Sequence, residues 1–592
     1  MSGSISFRIS APEPHSHLFA VEMKVGEIEK EEKVLLRMPV WTPGSYLVRE
    51  YARHVQNLEV VDQEGRVREA NKVDKASWEV ETEGARELRI TYEVYAHDLT
   101  VRTNHLDGSH GFFNCVATCL YPEGRLLEPV ALEVVPPEGW EVFCGLKRQE
   151  RVGVHFQAQD YDELFDTPVE IGDHRYFDFE VEGVDHRFLF WGEHNFDVDA
   201  LKRDVPKIVA ENAAMFGEIP YERYVFINHM IPGAYGGLEH RHSSVNVFDA
   251  RGFDSSEAGP EGDFGEKYTN FLRLLCHEHF HAYHVKRLRP KALGPFDYQR
   301  ENYTRALWAV EGVTSYYDTY NLLVAELISA GRYVELLEKR ITQMQSVPGR
   351  HLHSLEEAGF DAWIKLYRPD ENTRNSSVSY YLKGEVVTWL LDLYILEKSE
   401  GERSMADALR RLWREYYKAG DIGFPPGAGQ AAVSAEAGAD ATEVFDELVR
   451  GRGEIEWKKY LEPFGLALRE IHEEKRGWLG LDTMTKSDGR KMIKFVVRHS
   501  PAEKAGLYAG DEIVAIDGWG VRGEKIREMV SRVRPGDEVR FHLIRRSRLI
   551  EVRARSETAP PKAYRLERLE GATGRQDRLL KAWLGTTSWE KQ

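Results

Sequence analysis

The spacing of apolar residues changes twice along this chain, and each change narrows what it can fold into. Up to about residue 165 the period is two: Ile5, Phe7 and Ile9 alternate with polar neighbours, as do Leu88, Ile90, Tyr92 and Val94. Such alternation marks half-buried strands. Asp62-Gln63-Glu64-Gly65 is a turn sequence between two runs of this kind. Strand character continues at 176–179 and 188–191. From about 197 the period becomes helical, through Leu201, Val205, Ile208, Val209, Ala213 and Phe216. A short strand is then expected at 224–227, a glycine-rich turn at 233–237 and a strand-like run at 245–248. Helices are expected over 264–287, 304–329, 333–346, 377–398, 403–418 and 441–450, with a loop at 423–429 around Pro425-Pro426. Residues from about 476 to 556 are β-rich again. A tail follows, broken at Pro560-Pro561, with one helix near 574–584.

The fold class this implies is multidomain α+β. Its expected parts are a β-rich N-terminal domain over 1–168, a mainly helical domain over 169–470, a second β domain over 476–556 and a tail over 557–592. A length of 592 residues exceeds what one core organises, and 42% hydrophobic with 30% charged residues fits packed cores rather than disorder. No run of about 18 apolar residues occurs, so no membrane span is expected. No secretory leader is visible, and the expected location is the cytoplasm. The net charge of −18 disfavours nucleic acid and anionic membranes as partners. Four cysteines in so long a chain do not make a disulfide framework, and Cys115 with Cys119 lacks the further ligands of a zinc site.

The chemistry is concentrated in His277-Glu278-His279-Phe280-His281, inside an apolar-periodic helix with Phe271, Leu272 and Leu275. Residues four apart share a helix face, so His277 and His281 can present two imidazoles to one Zn²⁺ ion per chain. Glu278 then projects beside that ion, where a carboxylate can take a proton from water. His279 falls on another face, and it and His284 are expected at the surface or behind the ligands. A catalytic site needs a third protein ligand. The best candidate is Glu311, in Trp308-Ala309-Val310-Glu311-Gly312-Val313-Thr314-Ser315-Tyr316-Tyr317 of the next long helix. Asp318, two turns on and on nearly the same face, is placed to hold a ligand histidine by its second nitrogen.

With these residues the chain resembles the glycyl aminopeptidase family of zinc peptidases, thermolysin-like relatives of aminopeptidase N. The likeness extends over the segment Trp41-Thr42-Pro43-Gly44-Ser45-Tyr46 of the N-terminal domain, the two helices just described and a C-terminal PDZ-like unit. The resemblance implies that Gly236-Gly237-Leu238-Glu239-His240 is an exopeptidase motif, with Glu239 binding the free α-amino group of a peptide. An ammonium needs a fixed anion, and glycines let the main chain approach a peptide closely. The 245–248 run is expected to be the edge strand on which substrate lies. Tyr380-Tyr381-Leu382-Lys383-Gly384-Glu385 is similar to the helix start whose tyrosine stabilises the oxyanion. Tyr381 has the matching spacing, and Tyr380 competes for the role. A preference for N-terminal glycine or alanine is likewise implied by the resemblance.

The C-terminal unit carries Gly477-Trp478-Leu479-Gly480-Leu481, Ser500-Pro501-Ala502 and Gly510-Asp511-Glu512-Ile513, a pattern that looks like a bacterial-type PDZ domain. The loop of Trp478, Leu479, Gly480 and Leu481 is expected to receive a peptide's terminal carboxylate, with a helix at 523–533 turning Ile526 and Val530 inward. The resulting expectation is a zinc aminopeptidase acting on peptides with a free N-terminus. The alternatives are a zinc endopeptidase with the same centre, and a PDZ-bearing peptide-binding or chaperone-like protein with a vestigial metal site.

Overall fold

The computed structural model describes residues 4–249, 251, 265–473, 476–523, 526–530 and 532–589. The protein is a multidomain α+β chain that divides into two compact units. One holds residues 1–304, 317–329 and 409–428, and the other 305–316, 330–408 and 429–592.

The first unit begins with β-structure. Strands β1 (Ile5–Ser10), β2 (Leu18–Gly26) and β3 (Glu87–Tyr95) are neighbours in a seven-stranded sheet. The predicted alternation is realised in burial: Ile5, Phe7, Ile9, Leu88, Ile90, Tyr92 and Val94 are all in the core. At the predicted turn, Asp62 Oδ1 accepts from the amides of Glu64 and Arg66 at 2.9 and 3.0 Å, and Gly65 takes the positive φ of +78° that such a turn asks of glycine. In a further sheet, strand β4 (His110–Asn114) pairs antiparallel with β5 (Pro168–Gly172), setting His110 opposite Gly172 and Phe112 opposite Glu170.

The same unit holds a five-stranded mixed sheet. Its strands are β6 (Arg175–Val181), β7 (Val184–Trp191), β8 (Arg223–Met230), β9 (Tyr235–Glu239) and β10 (Ser243–Phe248), in the order β6-β7-β8-β10-β9. Two expectations are corrected here. Residues 235–239 form a strand rather than a turn, and they, not 245–248, make the sheet edge. The run at 245–248 is buried because it lies between β8 and β9. A pair of glycines in an extended segment reads as a turn, yet here it marks a strand that another side chain must approach closely.

Helix α1 (Val198–Phe216) starts at Asp197, whose side chain accepts from the Asp199 amide, and ends at Gly217 with φ +82°. Its apolar face is the predicted one, with Leu201, Val205, Ile208, Val209, Ala213 and Phe216 all buried. Helix α2 (Glu266–Phe280) ends within the histidine motif. A π turn at Trp308–Gly312 runs directly into α3 (Val313–Val324).

In the second unit, helix α4 (Ala330–Gln345) is amphipathic, whereas α5 (Leu382–Lys398) is buried on every side from Lys383 to Leu396. The π turn at Trp308–Gly312 packs on the start of α5 through two glycines. A Cβ on Gly312 would stand 2.5 Å from the Gly384 Cα, and one on Gly384 2.8 Å from the Gly312 Cα. The C-terminal β domain arranges Leu481–Thr485, Lys491–Val496, Glu512–Ile516, Glu538–Arg545 and Arg548–Arg555 in that spatial order. Its core includes Leu479, Ile493, Ile513, Phe541 and Leu543, with Ile526 and Val530 of the short helix packed on it. The helix is shorter than expected among the described residues, Ile526–Val530; positions 524, 525 and 531 lie outside them. No helix is long and apolar enough to cross a membrane among the described residues.

Candidate metallopeptidase site

The last turn of α2 brings His277 and His281 together: their Nε2 atoms are 3.2 Å apart. What holds them so is the other nitrogen of each ring. His277 Nδ1 donates to Asp318 Oδ2 at 3.2 Å, and His281 Nδ1 donates to the carbonyl of His284 at 2.7 Å. Engaging both Nδ1 atoms fixes the tautomers and leaves two Nε2 lone pairs directed at one place, the arrangement a metal ion needs. Asp318 is itself fixed by Arg273, whose Nε and Nη2 reach its Oδ1 at 3.0 and 2.9 Å. Burial opposes the charge on Asp318, but Arg273 and the His277 hydrogen bond hold its carboxyl below the ordinary value.

Glu311 lies in the π turn, seven residues before Asp318. The ligand atoms of Glu239, Glu278 and His281 all fall within 4.8 Å of one another. Two imidazoles and a carboxylate are a donor set of catalytic divalent-metal sites. Glu278 is 5% exposed and stands against the edge strand, where a Cβ on Gly237 would overlap its carboxylate. Gly236 takes φ +150° beside it. Glu239 ends that strand, 4% exposed, and the turn of Gly44 (φ +84°) closes over it. A Cβ on Gly44 would lie 2.6 Å from Glu239 Oε1. Arg102 steadies the strand by donating from Nη2 to the Gly237 carbonyl at 3.3 Å.

His279 and His284 are not surface groups; they are 0% and 1% exposed. His279 is enclosed by Asn212 at 2.9 Å and the Tyr221 hydroxyl at 2.6 Å, and burial, then His186 and Arg287, hold its pKa well below the usual imidazole value. It is a neutral core residue. His284 serves His281 through its carbonyl, a contact that a side-chain reading of the sequence does not reveal.

In the second unit Tyr381 is the N-cap of α5 and stacks on Tyr380, with ring centroids 4.8 Å apart. Tyr380 is fully buried, whereas Tyr381 is partly exposed. Burial, and next the carboxylate of Glu311, raise the Tyr381 phenol well above its ordinary pKa, which keeps it a hydrogen-bond donor. In the C-terminal domain the loop residues fill two roles: Leu479 enters the core, and the Gly480 carbonyl accepts from the Val497 amide at 2.8 Å with Gly480 at φ +75°. The strand that follows is an edge of its sheet among the described residues.

The chain is similar to several known proteins. Residues 6–173 match the Peptidase M61 N-terminal domain, 270–387 match the M61 glycyl aminopeptidase model, and 477–555 match the PDZ domain. The crystal structure of an aminopeptidase N family protein from Idiomarina loihiensis superposes with a TM-score of 0.90 at 29% identity, covering 98% of this chain and 100% of that one. A mutant M1 zinc metallopeptidase from Deinococcus radiodurans, bound to a Tyr-Ser-Ala substrate, aligns at a TM-score of 0.48 and 13% identity, over 77% of this chain and 95% of that one. No curated protein sequence matches. Fold and site together define a metallopeptidase of the aminopeptidase kind. Within that class the chain is similar to the M61 glycyl aminopeptidases over its N-terminal and catalytic matches, with a PDZ match after them in the sequence.

Proposed function

We propose that this chain is a zinc-dependent aminopeptidase that removes small residues, glycine and alanine, from the free N-termini of peptides. The observation that carries the reading is the position of Glu239, whose carboxylate shares one 4.8 Å group with Glu278 and His281 at the end of the edge strand. A peptide added along that edge would meet a fixed anion one residue before the bond facing Glu278. An ammonium group is the partner such a buried carboxylate selects.

His277, His281 and Glu311 would hold the ion, with one coordination position left for chemistry. When bound, Zn²⁺ supplies a Lewis acid that makes water acidic near neutral pH and polarises the scissile carbonyl. Glu278 accepts the proton from the attacking water and delivers it to the leaving amine. Tyr381, kept protonated, donates to the oxygen that becomes negative as the carbonyl is attacked. Gly236 and Gly237 let the substrate main chain lie flat on the edge strand. The turn at Gly44 leaves little room beside Glu239, which supports the preference for a small first side chain. We assign the loop of Trp478, Leu479, Gly480 and Leu481 to capture of a peptide C-terminus, supported by the open strand edge that follows it. The four cysteines are buried free thiols, which suits a reducing compartment, and we place the chain in the cytoplasm on that ground.

The deciding experiment compares glycyl and alanyl reporter amides with their N-acetylated forms, with and without chelator, using wild type, Glu278→Gln and Glu239→Gln. Hydrolysis of the free amides only, lost with chelator and in Glu278→Gln, is the expected result. Efficient cleavage of the acetylated substrates would make the protein an endopeptidase and overturn the reading.

A further inference from the structure

Away from the site just described, a second group of metal-capable side chains is closed off from solvent. His110 on β4, Glu170 on β5 and His229 on β8 are each 0% exposed, and their ligand atoms lie within 4.8 Å of one another. Strand pairing brings them together. The register that sets His110 opposite Gly172 puts His110 and Glu170 on the same face of that sheet, and β8 supplies His229. His110 Nδ1 and His229 Nε2 each stand 2.8 Å from a Glu170 oxygen, one on Oε1 and the other on Oε2. Trp191, paired with His229 across the strands, stacks on the His110 ring at 3.9 Å and seals that side.

A third imidazole makes the group unlike an ordinary buried ion pair. His174, with a side chain 1% exposed, has its Nε2 2.8 Å from Glu170 Oε1. The contact is close, but the nitrogen lies off the direction of a good hydrogen bond. Close approach without alignment is what two ligands of a common ion show, since each aims at the ion and not at the other. A buried carboxylate needs a compensating positive charge. The partners that surround Glu170 are imidazoles, which supply that charge only by taking up protons or by sharing a cation with the carboxylate.

We infer that His110, Glu170 and His229, with His174 beside them, form a second divalent-metal site whose donor set fits Zn²⁺. The site is structural: it is dry, and it ties a strand of the N-terminal β region to the catalytic sheet. Binding there stabilises the folded chain, because the ligands converge only once β4, β5 and β8 are in place. The inference stands independently of the peptidase reading, since no residue of the first site takes part.

The test counts metal. Chelator-stripped protein reloaded with Zn²⁺ alone should bind two ions per chain by elemental analysis. His277→Ala/His281→Ala should keep one, and adding His229→Gln should remove it. Zn²⁺ should raise the melting temperature of His277→Ala/His281→Ala, and the added His229→Gln should abolish that rise. A folded His277→Ala/His281→Ala protein that takes up no zinc overturns the inference, as does a remaining ion indifferent to His229→Gln and Glu170→Gln. Should those added substitutions prevent folding, Co²⁺ loading of His277→Ala/His281→Ala decides. Visible bands of a low-symmetry nitrogen and oxygen site are expected, and their absence overturns it.

Discussion

The main chain of Gly237 lies so close against the carboxylate of Glu278 that a β-carbon on the glycine would overlap it. The edge strand and the proposed catalytic carboxylate therefore share one space. Gly237→Ala must push Glu278 aside while leaving His277 and His281 in place. Displacement of a reacting group by about an ångström costs up to roughly 100-fold in rate. Steady-state kinetics on a glycyl amide should show kcat falling by about that factor, with zinc content unchanged; an unchanged kcat would mean that Glu278 does not need its observed position.

On the proposed function, Asp318 should bear on metal affinity rather than on the chemical step. It accepts from His277 Nδ1 and is anchored by Arg273. Partners of this kind are worth about 10–100-fold in metal affinity. Asp318→Asn should raise the zinc dissociation constant by that order in a chelator competition, and saturating zinc should restore most of kcat. Failure of excess zinc to restore activity would give Asp318 some other task.

The two adjacent tyrosines separate by substitution. Tyr381 is partly exposed and feels the charge of Glu311, whereas Tyr380 is fully buried. Tyr381→Phe should lower kcat by roughly 100-fold, the cost of one oxyanion donor, with little change in KM. Tyr380→Phe should leave kcat within a few-fold. Reversal of the two results would exchange their roles.

Lys383 yields a pH signature. Burial first, then Arg350, bring its pKa down to about 8, and its Nζ reaches the Gly451 carbonyl at 3.4 Å. The unfolded chain holds this proton up to about 10.4, so between about 8 and 10.4 it binds more protons than the folded one, and stability rises with pH across that window. At pH 7 the burial cost is present in full, roughly 3 kcal/mol. Urea melts should find Lys383→Met more stable than wild type at pH 7, with the gap closing towards pH 10. A gap that stays constant would show that the lysine is not the titrating group.

Most of the proposed first site was legible in the sequence because its residues sit at helical spacing. Four positions separate His277 from His281 and seven separate Glu311 from Asp318, so one face of one helix is enough to predict each pair. The sheet was harder. Gly236 and Gly237 carry no side chains to show a period of two, so β9 read as a turn and its buried neighbour β10 as the edge. His279 read as a group at the surface or behind the ligands because a helical wheel shows only that it points away from them, not that Asn212 and Tyr221 enclose it. His110, Glu170 and His229 gave no signal at all. They lie on three strands far apart in the chain and become neighbours only through strand pairing.

The π turn ahead of α3 carries one residue more than an α turn of the same kind. Each residue turns an α-helix by about 100°, so the residues before the turn are out of phase by that angle with those after it. Removing a single residue just before Glu311 would let the helix rewind and would swing the preceding tryptophan and leucine into new directions. Losing one residue after it, ahead of Asp318, would turn Glu311 to another face of its helix. Chain length through this segment is thus as binding a constraint as residue identity, and relatives that gain or lose one position here should have altered their metal chemistry as well.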